Sequence, residues 1–319
     1  MKNYFLRKMF NILLIPLFLV LSLSYANAIS ISFVVKDMTN PYYHRMGEGA
    51  KQAAEELGID LNWTSAKVNG DIEGQIAVVE GEMAKSPDAM ILVPMNGKAL
   101  IGKIKELNKM GTPVFTADTR VDEGYVQVET FVGLDERQSF TGMAEFVAKY
   151  LNGSGKVAIL EGFRGSSTAE LRLLGMKDVF DANPGIEVVA SLSADWDREK
   201  GMKVAEDLLQ AHPDLDVFVA SNDEMAMGAL QAVKSAGKLG QVAVVGDDAI
   251  PAALEALQKG ELLATIDGNT DKVGYQAVQA AYEYLVNGTQ PPEWLKVPST
   301  VMFQEDVTDS YLNARGISF

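Results

Sequence analysis

The sequence predicts an α/β protein with two doubly wound, parallel-sheet lobes. Short apolar runs alternate with amphipathic stretches along most of the chain, which is the pattern of βαβ units. The alternation falls into two series that divide near Asp135, and each series has about enough strands for one sheet. No linker rich in Pro, Ser or charge separates them, so short strand crossovers are expected to join the lobes.

In the first series, residues 31–36 predict a strand and Pro41–Leu57 predicts the helix that follows it. Residues spaced by three or four positions give this helix one apolar face: Met46, Ala50, Ala53 and Leu57. Pro41 is favoured in the first helical turn, and Gly58 is favoured at the exit. The other elements named in this series are the strand 89–93, the helix 98–110 and the strand Val114–Ala117.

The second series begins with a predicted helix at 136–151. Strands are predicted at 156–161, 187–191, Val217–Ala220, 242–246 and 262–266. Helices are predicted at 167–182, Arg198–Ala211, 223–236, Pro251–Gln258 and 270–286. Because a helix follows each strand, the strands are expected to run parallel.

Composition excludes several functions. The 319 residues include 28 basic and 43 acidic ones, and a formal net charge of −15 argues against nucleic acid as a partner, because phosphate contacts need clustered Lys and Arg. Without cysteine there is no disulfide, thiol nucleophile, thiolate metal site or lipid-modified cysteine. His44 and His212 leave little room for zinc-hydrolase or Ser-His chemistry, and no phosphate-binding glycine loop is present. No metal and no cofactor is predicted.

The first 28 residues have the pattern of a secretory signal peptide. Lys2, Arg7 and Lys8 precede an apolar stretch, and Ala26-Asn27-Ala28 forms a small-residue cleavage site. An uncleaved anchor is the alternative, but the apolar run extends only from residue 10 to residue 23 and contains Pro16, whereas a spanning helix needs ~20 residues. Cleavage after Ala28 and a location in the periplasm are therefore expected.

Polar and aromatic residues follow the carboxyl ends of the predicted strands, where open α/β sheets bind ligands. These candidate binding residues are Lys36, Asn40, Tyr42, Tyr43, Asp118, Thr119, Arg172, Trp196, Asn222 and Asp248. Aromatic faces with carboxylates, amides and a guanidinium are typical of a site for a small polyhydroxylated molecule. No nucleophile stands with a base.

Each of these residues also has a purely structural interpretation. Trp196 could pack between a strand end and a helix, and Tyr42 and Tyr43 could be ordinary aromatics at a helix start. Asn222 could cap the helix that begins at residue 223, and Asp248 the helix that begins at Pro251. Arg172 could pair with Glu170 or Asp178 at the surface. The functional interpretation rests on so many of these residues sharing one edge.

Four segments resemble ribose- and allose-type periplasmic sugar-binding proteins, which feed ABC importers. They are VKDMTNPYY at 35–43, ADWDR at 194–198, SNDEMAMGA at 221–229 and VVGDD at 244–248. The resemblance implies the type I periplasmic binding protein fold, with three crossovers near Leu134, Gly268 and Val297. One lobe would comprise residues 29–134 and 268–297, and the other would comprise residues 135–267 and 298–319.

The same resemblance implies roles for the candidate residues. From the first lobe, Lys36, Asn40 and Tyr43 would face the ligand, with Tyr42 in support and Asp118 accepting adjacent hydroxyls. From the second lobe, the contributors would be Arg172, Trp196, Asn222 and Asp248, with Trp196 opposite Tyr43 across the sugar ring. Thr119, Asp247 and Gly268 depart from the family pattern, so the expected ligand is a monosaccharide or sugar-like polyol rather than ribose or allose in particular.

The expected protein is a monomer that binds a sugar without enzymatic turnover and passes it to an ABC permease. Presentation of the sugar to a chemoreceptor or sensor kinase is the alternative that the sequence leaves open. An exported glycosidase is a third possibility, with Asp118 and Asp248 as the carboxylate pair that such chemistry needs.

Overall fold

The computed structural model describes residues 28–319 and contains two separate parallel sheets. The predicted signal peptide, residues 1–28, lies outside the described residues except for Ala28. The strands are β1 Ser30–Val35, β2 Asp60–Ser65, β3 Ala89–Leu92, β4 Val114–Ala117, β5 Phe131–Gly133, β6 Gly155–Glu161, β7 Ile186–Ser193, β8 Val217–Ala220, β9 Ala243–Val245, β10 Thr265–Asp267, β11 Trp294–Lys296 and β12 Thr300–Met302. The helices are α1 Pro41–Leu57, α2 Ile72–Met83, α3 Ile101–Met110, α4 Glu136–Tyr150, α5 Ser167–Phe180, α6 Arg198–Ala211, α7 Asp223–Ser235, α8 Pro251–Gln258, α9 Thr270–Asn287 and α10 Asp309–Ala314.

The six-stranded sheet has the order β11-β5-β4-β3-β1-β2, and all of its pairs are parallel. Its strands β1, β3 and β4 are almost wholly buried because helices cover both faces. One face packs against α1 and α9, and the other packs against α2 and α3. Helices α1 and α9 approach closely, since a Cβ added at Gly49 would lie 1.8 Å from the Asp271 carbonyl oxygen.

The four-stranded sheet has the order β7-β6-β8-β9 and is also parallel. Helices α6, α7 and α8 cover one face, and α4 and α5 cover the other. The predicted fold class, α/β with two doubly wound parallel sheets, is therefore confirmed.

The connecting segments differ from the prediction. The strand expected at 262–266 forms only at Thr265–Asp267, and it pairs antiparallel with β12 in a two-stranded sheet, which the alternation pattern does not predict. The chain leaves the six-stranded sheet after β5 and returns to it at β11, which pairs with β5. It then leaves that sheet again, and β12 pairs with β10. Among the described residues, no helix is both long and apolar enough to cross a bilayer.

Candidate functional site

A narrow cavity lies where the carboxyl ends of the two parallel sheets face each other. Its lining residues are Lys36, Asp37, Asn40, Tyr42, Tyr43, Asn69, Asp118, Thr168, Arg172, Trp196, Asn222 and Asp248. Nine of the ten side chains predicted from the sequence are in this set, and Thr119 is the exception.

Asp118 is the hydrogen-bonding centre of the first half of the cavity. One carboxylate oxygen accepts from the Tyr42 hydroxyl at 2.6 Å, and the other accepts from Lys36 Nζ and from Thr119 Oγ1, both at 3.0 Å. Thr119 is fully buried behind this group, where its hydroxyl also accepts from Lys36 Nζ at 2.7 Å. Thr119 thus supports Lys36 and Asp118 and does not line the cavity.

The charges in this half oppose the effect of burial on Asp118. Burial by itself would raise the pKa of Asp118, but Lys36, the Tyr42 hydrogen bond and Arg172 together lower it below the usual value for aspartate. Burial raises the pKa of Tyr42 well above its ordinary value, and the negative charge of Asp118 raises it further. Asp118 is therefore held ionised and Tyr42 is held as a hydrogen-bond donor.

Arg172 occupies the corresponding position in the second half. Its Nε donates to Glu136 Oε2 at 2.8 Å, and its Nη1 lies 2.6 Å from Asp247 Oδ2 and also donates to the Ser221 carbonyl. The suggested surface pairing with Glu170 or Asp178 is wrong, because Arg172 is only 3% exposed and Asp178 pairs with Arg137. Helix α5 points Arg172 inward because the two carboxylates and the carbonyl satisfy its charge there.

The carboxylates around Arg172 outnumber the cations near them. Burial raises the pKa of Asp247 to about 7 even though Arg172 is adjacent. Burial also raises the pKa of Asp248 well above its usual value, and the neighbouring Asp247 charge adds to this. The pKa of Glu136 is raised by burial as well, more than Arg172 lowers it. Near neutral pH the carboxyl groups of this half therefore retain part of their protons, which limits the negative charge around Arg172.

The raised pKa of Asp247 predicts how the free energy of unfolding of the ligand-free protein depends on pH. In the unfolded chain the pKa of Asp247 is about 3.9, so this carboxyl is already ionised at pH 6. In the folded protein the same carboxyl is protonated at pH 6 and loses its proton between pH 6 and pH 8. Stability should therefore fall as pH rises through 7, by about 1 kcal/mol from this group. Urea unfolding at pH 6, 7 and 8 measures the slope, and Asp247→Asn should reduce it. An unchanged slope in that variant would contradict the assignment to Asp247.

Aromatic rings form the apolar surface of the cavity. Tyr42 and Tyr43 meet edge to face, with ring centroids 5.1 Å apart, and the Arg172 guanidinium lies 5.4 Å from the centre of the Trp196 ring. Space for this ring depends on Gly162, since a Cβ there would lie 2.0 Å from Trp196 Cζ2. Trp196 also packs against the core beneath α6 and α7, as its structural interpretation expects, and it lines the cavity as well.

The capping interpretations have different outcomes. Asn222 does cap α7, because its Oδ1 accepts from Met225 N at 3.0 Å, and its amide donates to the Trp196 carbonyl within the cavity wall. Asp248 does not cap α8. The Ile250 backbone N–H at that helix start donates to Asp223 instead, at 3.0 Å. Asp248 is therefore left beside the cavity.

Positive φ angles concentrate around the cavity. Asp118, Trp196 and Asp248 have φ values of 60°, 65° and 119°, and Asp195 and Ala249 are also positive. Such conformations cost on the order of 1–3 kcal/mol each in non-glycine residues and tend to cluster at functional sites. The backbone is therefore strained at three of the predicted binding residues.

Hydrogen bonds between loops of the two sheets close the cavity. Asn69 Nδ2 donates to the Asp195 carbonyl at 2.9 Å, and Gly97 N donates to the Gly165 carbonyl at 3.2 Å. The Thr119 and Thr168 hydroxyls are 2.9 Å apart. Sequence reasoning missed Asn69, Thr168 and Asp37 as lining residues, although Asp37 lies two residues after the end of β1 and could have been included. Asp37 accepts from Thr39 and from Asn40 N, so it shapes the loop before α1.

Comparison with known proteins identifies the family. Residues 31–290 match the periplasmic binding protein domain. The chain belongs to the periplasmic binding protein family. Over 269 residues it is 35% identical to the D-ribose/D-allose-binding protein of Pseudomonas aeruginosa. This alignment covers 82% of this chain and 84% of that protein.

Solved structures of periplasmic binding proteins agree in fold. A solute-binding protein of an ABC transporter from Actinobacillus succinogenes, solved with bound D-allose, is 32% identical with a TM-score of 0.82, covering 87% of this chain and 98% of that one. A counterpart from Bacillus halodurans with bound myo-inositol is 30% identical with a TM-score of 0.81, covering 90% and 97%. The family consists of binding proteins and not enzymes, which confirms that expectation and removes the glycosidase alternative.

Proposed function

We propose that this periplasmic binding protein captures a monosaccharide or sugar-like polyol and delivers it to an ABC importer. The observation that carries the proposal is the cavity, where aromatic rings and hydrogen-bonding groups from both sheets converge. The relatives named for ribose and allose, and the similar structures that hold D-allose and myo-inositol, support this class of ligand.

The proposed contacts follow from the chemistry of the lining. Asp118 and Asp248 accept hydrogen bonds from ligand hydroxyls, while Lys36, Arg172 and the asparagine amides donate to ligand oxygens. The rings of Tyr43 and Trp196 cover the C–H surfaces of the sugar. The binding residues are then those predicted from the sequence, with Thr119 acting through Lys36 and Asp118 rather than on the ligand.

The ligand acts by holding two lobes together. The proposed lobes are residues 29–134 with 268–297 and residues 135–267 with 298–319, hinged at the three crossovers near Leu134, Gly268 and Val297. Because a bound sugar contacts both lobes, it favours the closed form, which the permease then recognises. This scheme has the protein exported to the periplasm on the signal peptide 1–28 and acting as a monomer.

A thermal-shift screen tests the proposed function. The purified protein, unfolded and refolded to remove any carried-over ligand, is screened against pentoses, hexoses, deoxy sugars, polyols and cyclitols. A ligand that binds only the folded state should stabilise it by ~4 kcal/mol at a thousand-fold excess over Kd, which is a large rise in Tm. No rise with any of these compounds would reject a sugar or polyol as the ligand.

The compound found in this screen is then used to test the role of Trp196. In the Trp196→Ala variant, affinity for the compound found should fall by ~1–3 kcal/mol, about 5- to 150-fold, because the ring contact is lost. Calorimetric titration of the folded variant measures the loss. Tyr150→Ala, which removes a half-exposed ring from the end of α4, is the control and should bind normally. Equal affinities in the two variants would contradict stacking on Trp196.

A further inference from the structure

Both cationic side chains that line the cavity already hold carboxylates of the chain. Lys36 Nζ lies 3.0 Å from Asp118, and Arg172 contacts Glu136 at 2.8 Å and Asp247 at 2.6 Å. Lysine and arginine are the residues with which binding sites usually recognise carboxylate and phosphate. Here an anionic ligand would have to displace a buried partner.

The hydrogen bonds of Arg172 make this displacement difficult. A guanidinium binds an anion best through two parallel N–H groups on one edge. Its Nε is engaged by Glu136, and its Nη1 is engaged by Asp247 and the Ser221 carbonyl. Glu136 stands at the start of α4, and Asp247 lies two residues after the end of β9, so two separate elements present carboxylates to one side chain.

The charge balance adds a second barrier to an anion. Four carboxyl groups, those of Asp118, Glu136, Asp247 and Asp248, surround two cations in a buried space, so the positive charge there is already matched without a ligand. Within residues 28–319, Glu136 Oε1 is buried without a hydrogen-bond partner, so no donor stabilises negative charge on that oxygen. Burial and mutual repulsion raise the pKa values of Asp247 and Asp248. A further negative charge would increase this repulsion.

We propose that Glu136 and Asp247 restrict this site to uncharged sugars and polyols and exclude sugars that carry a carboxylate or phosphate. They act as positioning residues, because each occupies one donor of a different guanidinium edge, so that neither edge is left with two free donors for an anion, while Arg172 can still donate to neutral oxygens. Asp248 remains to accept a hydrogen bond from a ligand hydroxyl. An ionised carboxylate or phosphate oxygen has no hydrogen to donate at that position. This inference rests on the proposed function and names the chemical class of its ligand.

The test compares ligands that differ only in charge. For each aldose among D-ribose, D-allose, D-glucose and D-galactose that binds, titration calorimetry at pH 7.5 measures three compounds. They are the aldose, its uronate and the uronamide of the same configuration, which matches the uronate in size without its charge. We expect the uronate to bind at least 100-fold more weakly than the uronamide. In the Glu136→Gln and Asp247→Asn variants, the ratio of the uronate Kd to the uronamide Kd should fall at least tenfold.

The control variant is Asp178→Asn, which breaks an exposed Asp–Arg pair on α5 with Arg137 and should leave the ratio unchanged. A uronate that binds the wild type within tenfold of the uronamide would overturn the proposal. The proposal is also overturned if the ratio stays unchanged in both folded variants. Loss of the uronamide together with the uronate would show exclusion by size instead. If no neutral sugar or polyol binds at all, it is the proposed function that fails.

Discussion

Asp118→Asn is expected to weaken binding of the sugar by about 30- to 5,000-fold, the ~2–5 kcal/mol typical of removing one partner of a buried charge pair. The carboxylate accepts from three donors, those of Tyr42, Lys36 and Thr119. An asparagine has one acceptor oxygen and turns an NH₂ group toward one of these donors. The Lys36 ammonium, 5% exposed, is then left without its counter-charge. Calorimetric titration and urea unfolding measure the two effects.

Loss of stability and loss of binding can be separated in this experiment. Asp118→Asn should lower the free energy of unfolding by ~3–5 kcal/mol because it leaves a buried charge unpaired. Adding Lys36→Met removes that charge and should restore much of the stability, but not the binding. Asp214→Asn, which breaks an exposed pair with Lys156, should cost under ~1 kcal/mol and leave binding intact. Wild-type affinity in Asp118→Asn would reject Asp118 as a binding residue.

The location of the candidate site at the carboxyl edge of the sheet was predictable from the sequence, because the carboxyl ends of parallel strands lie at one edge. Once residues 31–36 and Val114–Ala117 are predicted as strands, Lys36 and Asp118 fall at strand ends on the same edge of the sheet, and the structure places Lys36 Nζ 3.0 Å from Asp118 Oδ2. Helix α1 was predictable to the residue, since Pro41 and Gly58 mark its ends and its apolar face is regular. The roles assigned to the lining side chains stay predictions.

Partners that come from distant parts of the chain were not predictable. For Arg172 the sequence offered Glu170 and Asp178, its neighbours on one helix, but tertiary packing brings Glu136 and Asp247 to it instead. Asp248 looked like a helix cap, yet Asp223 receives the Ile250 N–H. The connecting strands β5, β11 and β12 have three residues each, too few to show any periodicity.

Arg172→Met is expected to lower the free energy of unfolding by ~3–5 kcal/mol at pH 8 and to prevent sugar binding. The variant leaves Glu136 and Asp247 buried without the guanidinium that balances them. Their pKa values, already raised by burial, should rise further, so both carboxyls take up protons as the pH falls. The stability deficit of the variant should therefore shrink from pH 8 to pH 6, which urea unfolding at both values measures.

The pH dependence distinguishes lost charge from lost packing. If Arg172 acts mainly through packing of its guanidinium over the rings of Phe140 and Trp196, the deficit should be the same at both pH values. If it acts by balancing carboxylates, adding Glu136→Gln and Asp247→Asn to Arg172→Met should restore stability at pH 8. Arg137→Met, which removes an exposed arginine paired with Asp178, is the control and should change stability by under ~1 kcal/mol. A deficit that is independent of pH and unrelieved by the neutral substitutions would mean that Arg172 does not balance the charge of this site.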